Sequence, residues 1–270
     1  MGYNKYDRAN LPGQEVENTY IKDLRESWDE QGRLDPLRAI LTTRDKNDTW
    51  DIDEFFASGQ RKIDALMEYI KSLGINISQG KALDFGCGIG RLTQALAPHF
   101  NEVHGVDIAP SMIELANKYN RHGDRCRYHL NESADLKIFP DEAFNLICTF
   151  ITLQHIKPQY AKNYIKEFIR ILAPRGVLIF QIPGRITGFN GLIMRIVPKA
   201  LLDATYRKVK YRNRPGPDSY WIKRQEVVAF LERNGGQVID VQEKKARTIV
   251  NCQYCVTKGL HEAIPHQTDK

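Results

Sequence analysis

Leu83-Asp84-Phe85-Gly86-Cys87-Gly88-Ile89-Gly90-Arg91 decides the fold. A short apolar strand runs into three alternating glycines, and the chain then opens onto a helix at about 91–98. Glycine permits positive φ and close backbone approach, so such a turn can wrap a ligand at the carboxyl edge of a sheet. Alone it is a weak signal. Twenty-one residues beyond Gly86, Asp107 ends the next strand. A carboxylate there is placed to accept hydrogen bonds from both ribose hydroxyls of an adenosine. The same residue also reads as a cap for the helix that follows. The glycines are spaced G-x-G-x-G, with Arg91 where a dinucleotide fingerprint carries its third glycine. A helix N-terminus built to receive pyrophosphate needs the longer spacing.

Outward from this turn the pattern alternates. Strands are predicted at about 82–86, 102–107, 125–130, 144–150 and 175–182, with helices at about 91–98, 111–120 and 158–172. This order predicts a parallel sheet with helices on both faces. Upstream, helices are predicted at 20–31 and 52–73. In the second, Ile63, Leu66, Met67 and Ile70 repeat at helical spacing, and Asp51 or Asp53 is a cap. Downstream, a helix at 223–234 precedes strands at 237–243 and 247–257. The link Glu243-Lys244-Lys245-Ala246 is short enough to allow only an antiparallel pair.

Four stretches resemble, in order, the motifs of class I S-adenosylmethionine (SAM)-dependent methyltransferases: LDFGCGIGRLTQALA, GVDIAPSMIELA, LNESADLKIFPDEAFNLICTFITLQHI and RILAPRGVLIFQIPG. They span about residues 80–183. SAM has no phosphates and carries a methionine tail, which suits the tighter glycine turn. The resemblance implies a Rossmann-like α/β fold: a seven-stranded, mostly parallel sheet with an antiparallel C-terminal hairpin and an N-terminal helical extension. It implies that Gly86, Cys87, Gly88 and Gly90 surround the methionine and ribose, with Asp84 just before the turn. Asp107 would hold the ribose, and Ile108 and Met112 would pack on adenine. Glu132 and Ser133 would face the adenine edge, although Asn131-Glu132 replaces the usual Gly-Asp. Thr149 would lie near the methionine through its backbone. The implied domain runs from 76 to 260, preceded by a helical extension or lid at 1–75 and followed by a tail at 261–270.

The acceptor is less legible. A base is needed only where the acceptor loses a proton, and His155, after the fourth strand, is the candidate; holding its loop by hydrogen bonds is the alternative role. The Asn-Pro-Pro-Tyr signature of amino-group methylation is replaced by Thr149-Phe150-Ile151-Thr152. An insertion at 183–222 is expected over the active site. Within 195–224, Arg195, Lys199, Arg207, Lys208, Lys210, Arg212, Arg214, Lys223 and Arg224 face only Asp203 and Asp218. That excess suits an anionic acceptor or a solvated loop. Tyr20, Trp28, Trp50, Phe55 and Phe56 are expected to form the facing wall.

With 270 residues, 42% hydrophobic and 27% charged, the chain reads as an ordinary globular protein with a net charge of +6. No apolar run approaches the roughly 18 residues of a membrane span, and the first 20 residues lack a secretory apolar core. Five scattered cysteines and no metal-ligand spacing point to reduced thiols, no metal site and a cytoplasmic setting. The pair Cys252 and Cys255 stands alone. The leading expectation is a methyltransferase acting on an oxygen or nitrogen of a small molecule. An RNA or protein methyltransferase using the basic segment, or a SAM-binding module without catalysis, are the alternatives.

Overall fold

The computed structural model describes residues 12–41, 50–186, 219–246 and 249–259. Its centre is a seven-stranded sheet in the order β3-β2-β1-β4-β5-β7-β6. The strands are β1 (Lys81–Phe85), β2 (Glu102–Asp107), β3 (Cys126–Leu130), β4 (Phe144–Thr149), β5 (Leu172–Ile186), β6 (Gln237–Ala246) and β7 (Ile249–Thr257). β1 to β5 pair in parallel, and β7 runs antiparallel between β5 and β6. The chain order steps outward from β1 in both directions. Such a reversal opens a crevice above the carboxyl ends of the strands, where ligands bind in open α/β sheets.

Helices cover both faces. On one lie α3 (Ile52–Ser72) and α4 (Arg91–Leu96), and on the other α6 (Pro158–Ile171) and α7 (Arg224–Arg233). α3 buries Phe55, Gly59, Ile63, Leu66 and Ile70, one stripe at helical spacing, and the Asp51 carboxylate caps it by accepting from the N–H groups of Asp53 and Glu54. α5 (Pro110–Lys118) follows β2. The central strands are buried on both sides, so alternate residues feed two separate cores. Leu83, Ile147, Leu178 and Phe180 pack on the α6 side, and Ala82, Leu146, Cys148, Val177 and Ile179 on the α3 side.

Three boundaries move. The first helix, α1, runs Pro12–Leu34 and is followed by α2 (Pro36–Ile40), which Asp35 caps and Pro36 opens. β5 extends to Ile186, pairing with β7 as far as Ile249. β6 also continues through the expected link. Glu243, Lys244, Lys245 and Ala246 pair with Cys252, Asn251, Val250 and Ile249. β6 is an edge strand, and charged side chains on such an edge look in sequence like a turn. The hairpin is antiparallel, as its brevity required. Cys252 packs in the core on one face of β7 and Cys255 on the other. Of the basic insertion, residues 187–218 lie outside the described residues.

Candidate functional site

Above the carboxyl ends of β1, β2 and β4 lies a cavity lined by Gly86, Gly88, Asp107, Ile108, Met112 and Asn131 on one side. Phe150, Ile151, Thr152, His155, Ile156 and Tyr164 line the other, and Leu24, Trp28, Ala39 and Ile40 of α1 and α2 close over it. The glycine turn gives the cavity its floor. Gly86 has φ of +75°, and a Cβ there would collide with the Thr152 side chain. Gly88 has φ of +52°, and its open face meets the end of Ile40. A side chain at either position would fill the space left for a ligand.

Asp107 is tied into the floor. One carboxylate oxygen accepts from Gly88 N–H at 2.9 Å and the other from Ala109 N–H at 2.9 Å. Burial lifts its carboxyl above the ordinary range, opposed by these backbone donors. Each oxygen keeps acceptor capacity for a further donor. The residue is therefore both the local cap and an acceptor at the cavity wall, so the two readings of its sequence position coexist.

The remaining expected residues divide. Asp84 is not at the wall. It is 2% exposed, accepts from the Thr93 hydroxyl at 2.8 Å, and is pushed up to about 6 chiefly by burial. Cys87 is buried behind the turn, and burial drives its thiol well up. Gly90 begins α4 against Tyr128. Thr149 is fully buried, with its hydroxyl oxygen unpaired. Glu132 pairs with Arg25 of α1 at 2.6 Å. Ser133 turns its carbonyl to the Tyr164 hydroxyl and the Asn131 amide. Asn131, not Glu132, reaches the cavity.

His155 lies on the wall at the end of a short 3-10 turn, Leu153–His155. Its Nε2 is 3.1 Å from the Gln154 amide, and the edge of Trp28 meets its ring at 5.2 Å. The Gln154 carbonyl accepts from Tyr220 N–H at 2.7 Å, so the chain returning from the insertion docks beside this histidine. Ile151, a β-branched residue at φ of +66°, holds a strained conformation on the same wall.

Of the five aromatics expected to face the site, only Trp28 lines the cavity. Tyr20 stacks on Tyr160 at 4.5 Å and its hydroxyl accepts from Lys157 N–H, while Trp50, Phe55 and Phe56 pack with one another. Sequence reasoning missed Leu24 and the residues of α2, since a five-residue helix carries too little periodicity to be seen. It also passed over Arg91. That side chain is 8% exposed, reaches Ser58 at 3.3 Å, leaves its buried Nε unpaired, and has no carboxylate partner among the described residues. Burial lowers its pKa. A buried cation next to the glycine turn, an acceptor at Asp107 and an apolar wall from Ile108 and Met112 fit an adenosine that carries an amino-acid tail.

Residues 82–176 match the family described as methyltransferase domain. The ubiquinone biosynthesis O-methyltransferase of Coxiella burnetii is 26% identical over 228 residues, covering 82% of this chain and 81% of that protein. The same-named protein of Xanthomonas euvesicatoria is 26% identical over 78% of this chain and 82% of its own length. Among solved structures, the magnesium protoporphyrin IX methyltransferase of Synechocystis, determined with S-adenosylhomocysteine (SAH), shares the fold with a TM-score of 0.59 at 17% identity. That match covers 88% of this chain and 99% of the other.

Proposed function

Because the chain is a class I SAM-dependent methyltransferase, we propose that it moves the methyl group to a hydroxyl oxygen on a small, largely apolar, ring-bearing molecule. The observation that carries this reading is the cavity. Its floor presents Asp107 and the glycine turn, while its far wall is apolar and aromatic around a single histidine. The O-methyltransferase names of relatives that align over most of the chain support oxygen over nitrogen.

In this reading Asp107 receives the ribose hydroxyls, and Ile108 and Met112 sandwich the adenine with Asn131 at its edge. Gly86 and Gly88 let the methionine run close to the backbone, and Arg91 reaches its carboxylate. When bound, SAM supplies an electrophilic methyl on a sulfonium. Trp28 and Phe150 orient the acceptor, the cap from α1 and α2 keeps water out, and the imidazole of His155 takes the hydroxyl proton.

Two measurements test the reading. Calorimetry should show SAH binding in clear preference to NAD. Labelled methyl from SAM should then enter hydroxylated aromatic acceptors in a panel that also holds amines. Binding of NAD without SAH, or labelling confined to the amines, would overturn it. His155→Asn should lower kcat by about 10²–10⁴-fold with SAH affinity retained. An unchanged kcat would leave the histidine only a loop-holding role.

A further inference from the structure

On the α3 face of the sheet, next to the cavity, several polar groups converge without partners. Alternation places Gln181 of β5, Gln253 of β7 and Gln242 of β6 on the face of Ile179 and Cys255. Register makes them a continuous row, Gln181 opposite Gln253 and Gln253 opposite Gln242. Two residues nearer the edge of the cavity, Lys244 stands opposite Asn251 on the same face. α3 runs alongside: Tyr69 donates to Asp240 of β6 at 2.7 Å, and Lys62 lies seven residues earlier on the same stripe. The Lys62 ammonium sits 4.2 Å from the centre of the Phe150 ring, and Phe150 is part of the cavity wall.

This patch combines two cations with a row of amides that can turn their N–H groups outward. Neither Lys62 nor Lys244 has a carboxylate partner among the described residues. The three glutamines are only partly buried and make no side-chain hydrogen bond among those residues. Two acids are close: Asp240, on the same face two residues from Gln242, is engaged by the Tyr69 hydroxyl, and Glu243 points to the opposite face, where it is engaged by Arg185 and Arg224. Burial, with Lys244 and Arg91 close by, pushes the Lys62 ammonium below the usual lysine range, against a smaller upward pull from Cys148. A half-buried Lys62 without a carboxylate partner, an exposed Lys244 beside it and a row of amides are suited to an oxyanion.

We infer that Lys62, Lys244 and the Gln181–Gln253–Gln242 row form a subsite for a carboxylate or phosphate group carried by the methyl acceptor. The inference rests on the methyltransferase reading. It adds that the acceptor has two ends: an apolar ring with its hydroxyl in the cavity, and an anionic group passing Phe150 onto the sheet.

The test uses the full chain loaded with SAH and titrates phenyl phosphate, benzoate and phenol by calorimetry. Phenyl phosphate or benzoate should bind at least about tenfold more tightly than phenol, less so as salt rises, and the tighter of the two names the group. In Lys62→Met/Lys244→Met both anions should fall to the level of phenol, with phenol and SAH affinities unchanged. Lys62→Arg should restore anion binding, which a packing defect would not do. The proposal is overturned if phenol binds the wild-type protein as well as the anions, or if the double variant keeps its anion preference. It is also overturned if SAH affinity falls alongside, since the cations then serve the tail of the cofactor. Failure of SAH to bind the wild-type chain would remove the methyltransferase reading itself, and the same titration detects it.

Discussion

Asp107 and Arg91 sit on either side of the glycine turn and make separable predictions. The Asp107 carboxylate holds the turn through Gly88 N–H and the next helix through Ala109 N–H. Asp107→Ala should weaken SAH at least about tenfold by removing charged acceptors for the ribose, and should also lower the melting temperature. Asp107→Asn keeps one acceptor oxygen and should lose less of both. Equal SAH affinity in all three proteins would reduce the residue to a cap. Arg91 is tested by what lacks a carboxylate. Arg91→Met should weaken SAH while leaving methylthioadenosine, which has the same adenosine and no amino-acid end, unchanged. Equal losses for both ligands would make the arginine structural. The two residues also show what a sequence discloses about a site. Asp107 was legible because its distance from the turn is set by one βαβ unit. Arg91 was read only as a break in a glycine pattern. Its burial against Ser58 and Phe55 of α3 is not local in sequence. The pairing of Glu132 with Arg25, 107 residues away, is likewise invisible to any local signal.

At the scale of elements, α1 behaves as part of the site. The N-cap of α5, Ala109, has no side chain to accept from the N–H groups of the first turn. Asp107 takes the Ala109 N–H, and α1 supplies the next acceptor: the Asp29 carboxylate accepts from Ser111 N–H at 2.8 Å, and the Asp29 carbonyl accepts from the Ser111 hydroxyl. A helix cap supplied by another element couples the docking of α1 to the position of Met112 on the cavity wall. Losing such a cap costs about 1 kcal/mol, so Asp29→Ala should lower the melting temperature by about 2–4 °C. It should also weaken SAH, because Ile40 and Trp28 then close less firmly. A fall in melting temperature with SAH affinity intact would show that α1 is bracing and not lid. The sheet and its flanking helices were legible because hydrophobic period, glycine turns and strand lengths are local signals. The placement of α1 was not, since it is held by contacts more than 80 residues apart in sequence. The end of β6 was misplaced because Lys244 and Lys245 look like a turn until the pairing partner on β7 is known.

For the molecule as a whole, two buried ionisable groups on opposite faces of the sheet pull its acid stability in opposite directions. On the α6 face, His104 of β2 stacks on His129 at 5.0 Å and meets the rings of Phe139 and Phe144 edge-on. Burial, then the neighbouring His129, pushes it down to about 4, against an upward pull from Glu102. Its unfolded counterpart titrates near 6.5. Between these values the unfolded chain holds the extra proton, so this histidine makes stability rise with pH from about 4 to about 6.5. Asp84 of β1 has the opposite sign. Burial raises it to about 6, above the unfolded value of about 3.9. In that window the folded chain holds the extra proton, so Asp84 makes stability fall as pH rises through it. The windows overlap from about 4 to about 6, where the two slopes offset each other. Melting temperatures at pH 4.5 and 6.5 therefore separate them. Relative to wild type, His104→Gln should be stabilised at the lower pH compared with the higher, and Asp84→Asn should show the reverse. The double variant should return towards the wild-type pH dependence, because the groups lie on different faces and share no hydrogen-bond partner. Single variants that both keep the wild-type difference between the two pH values would show that neither group changes its pKa between the folded and unfolded states.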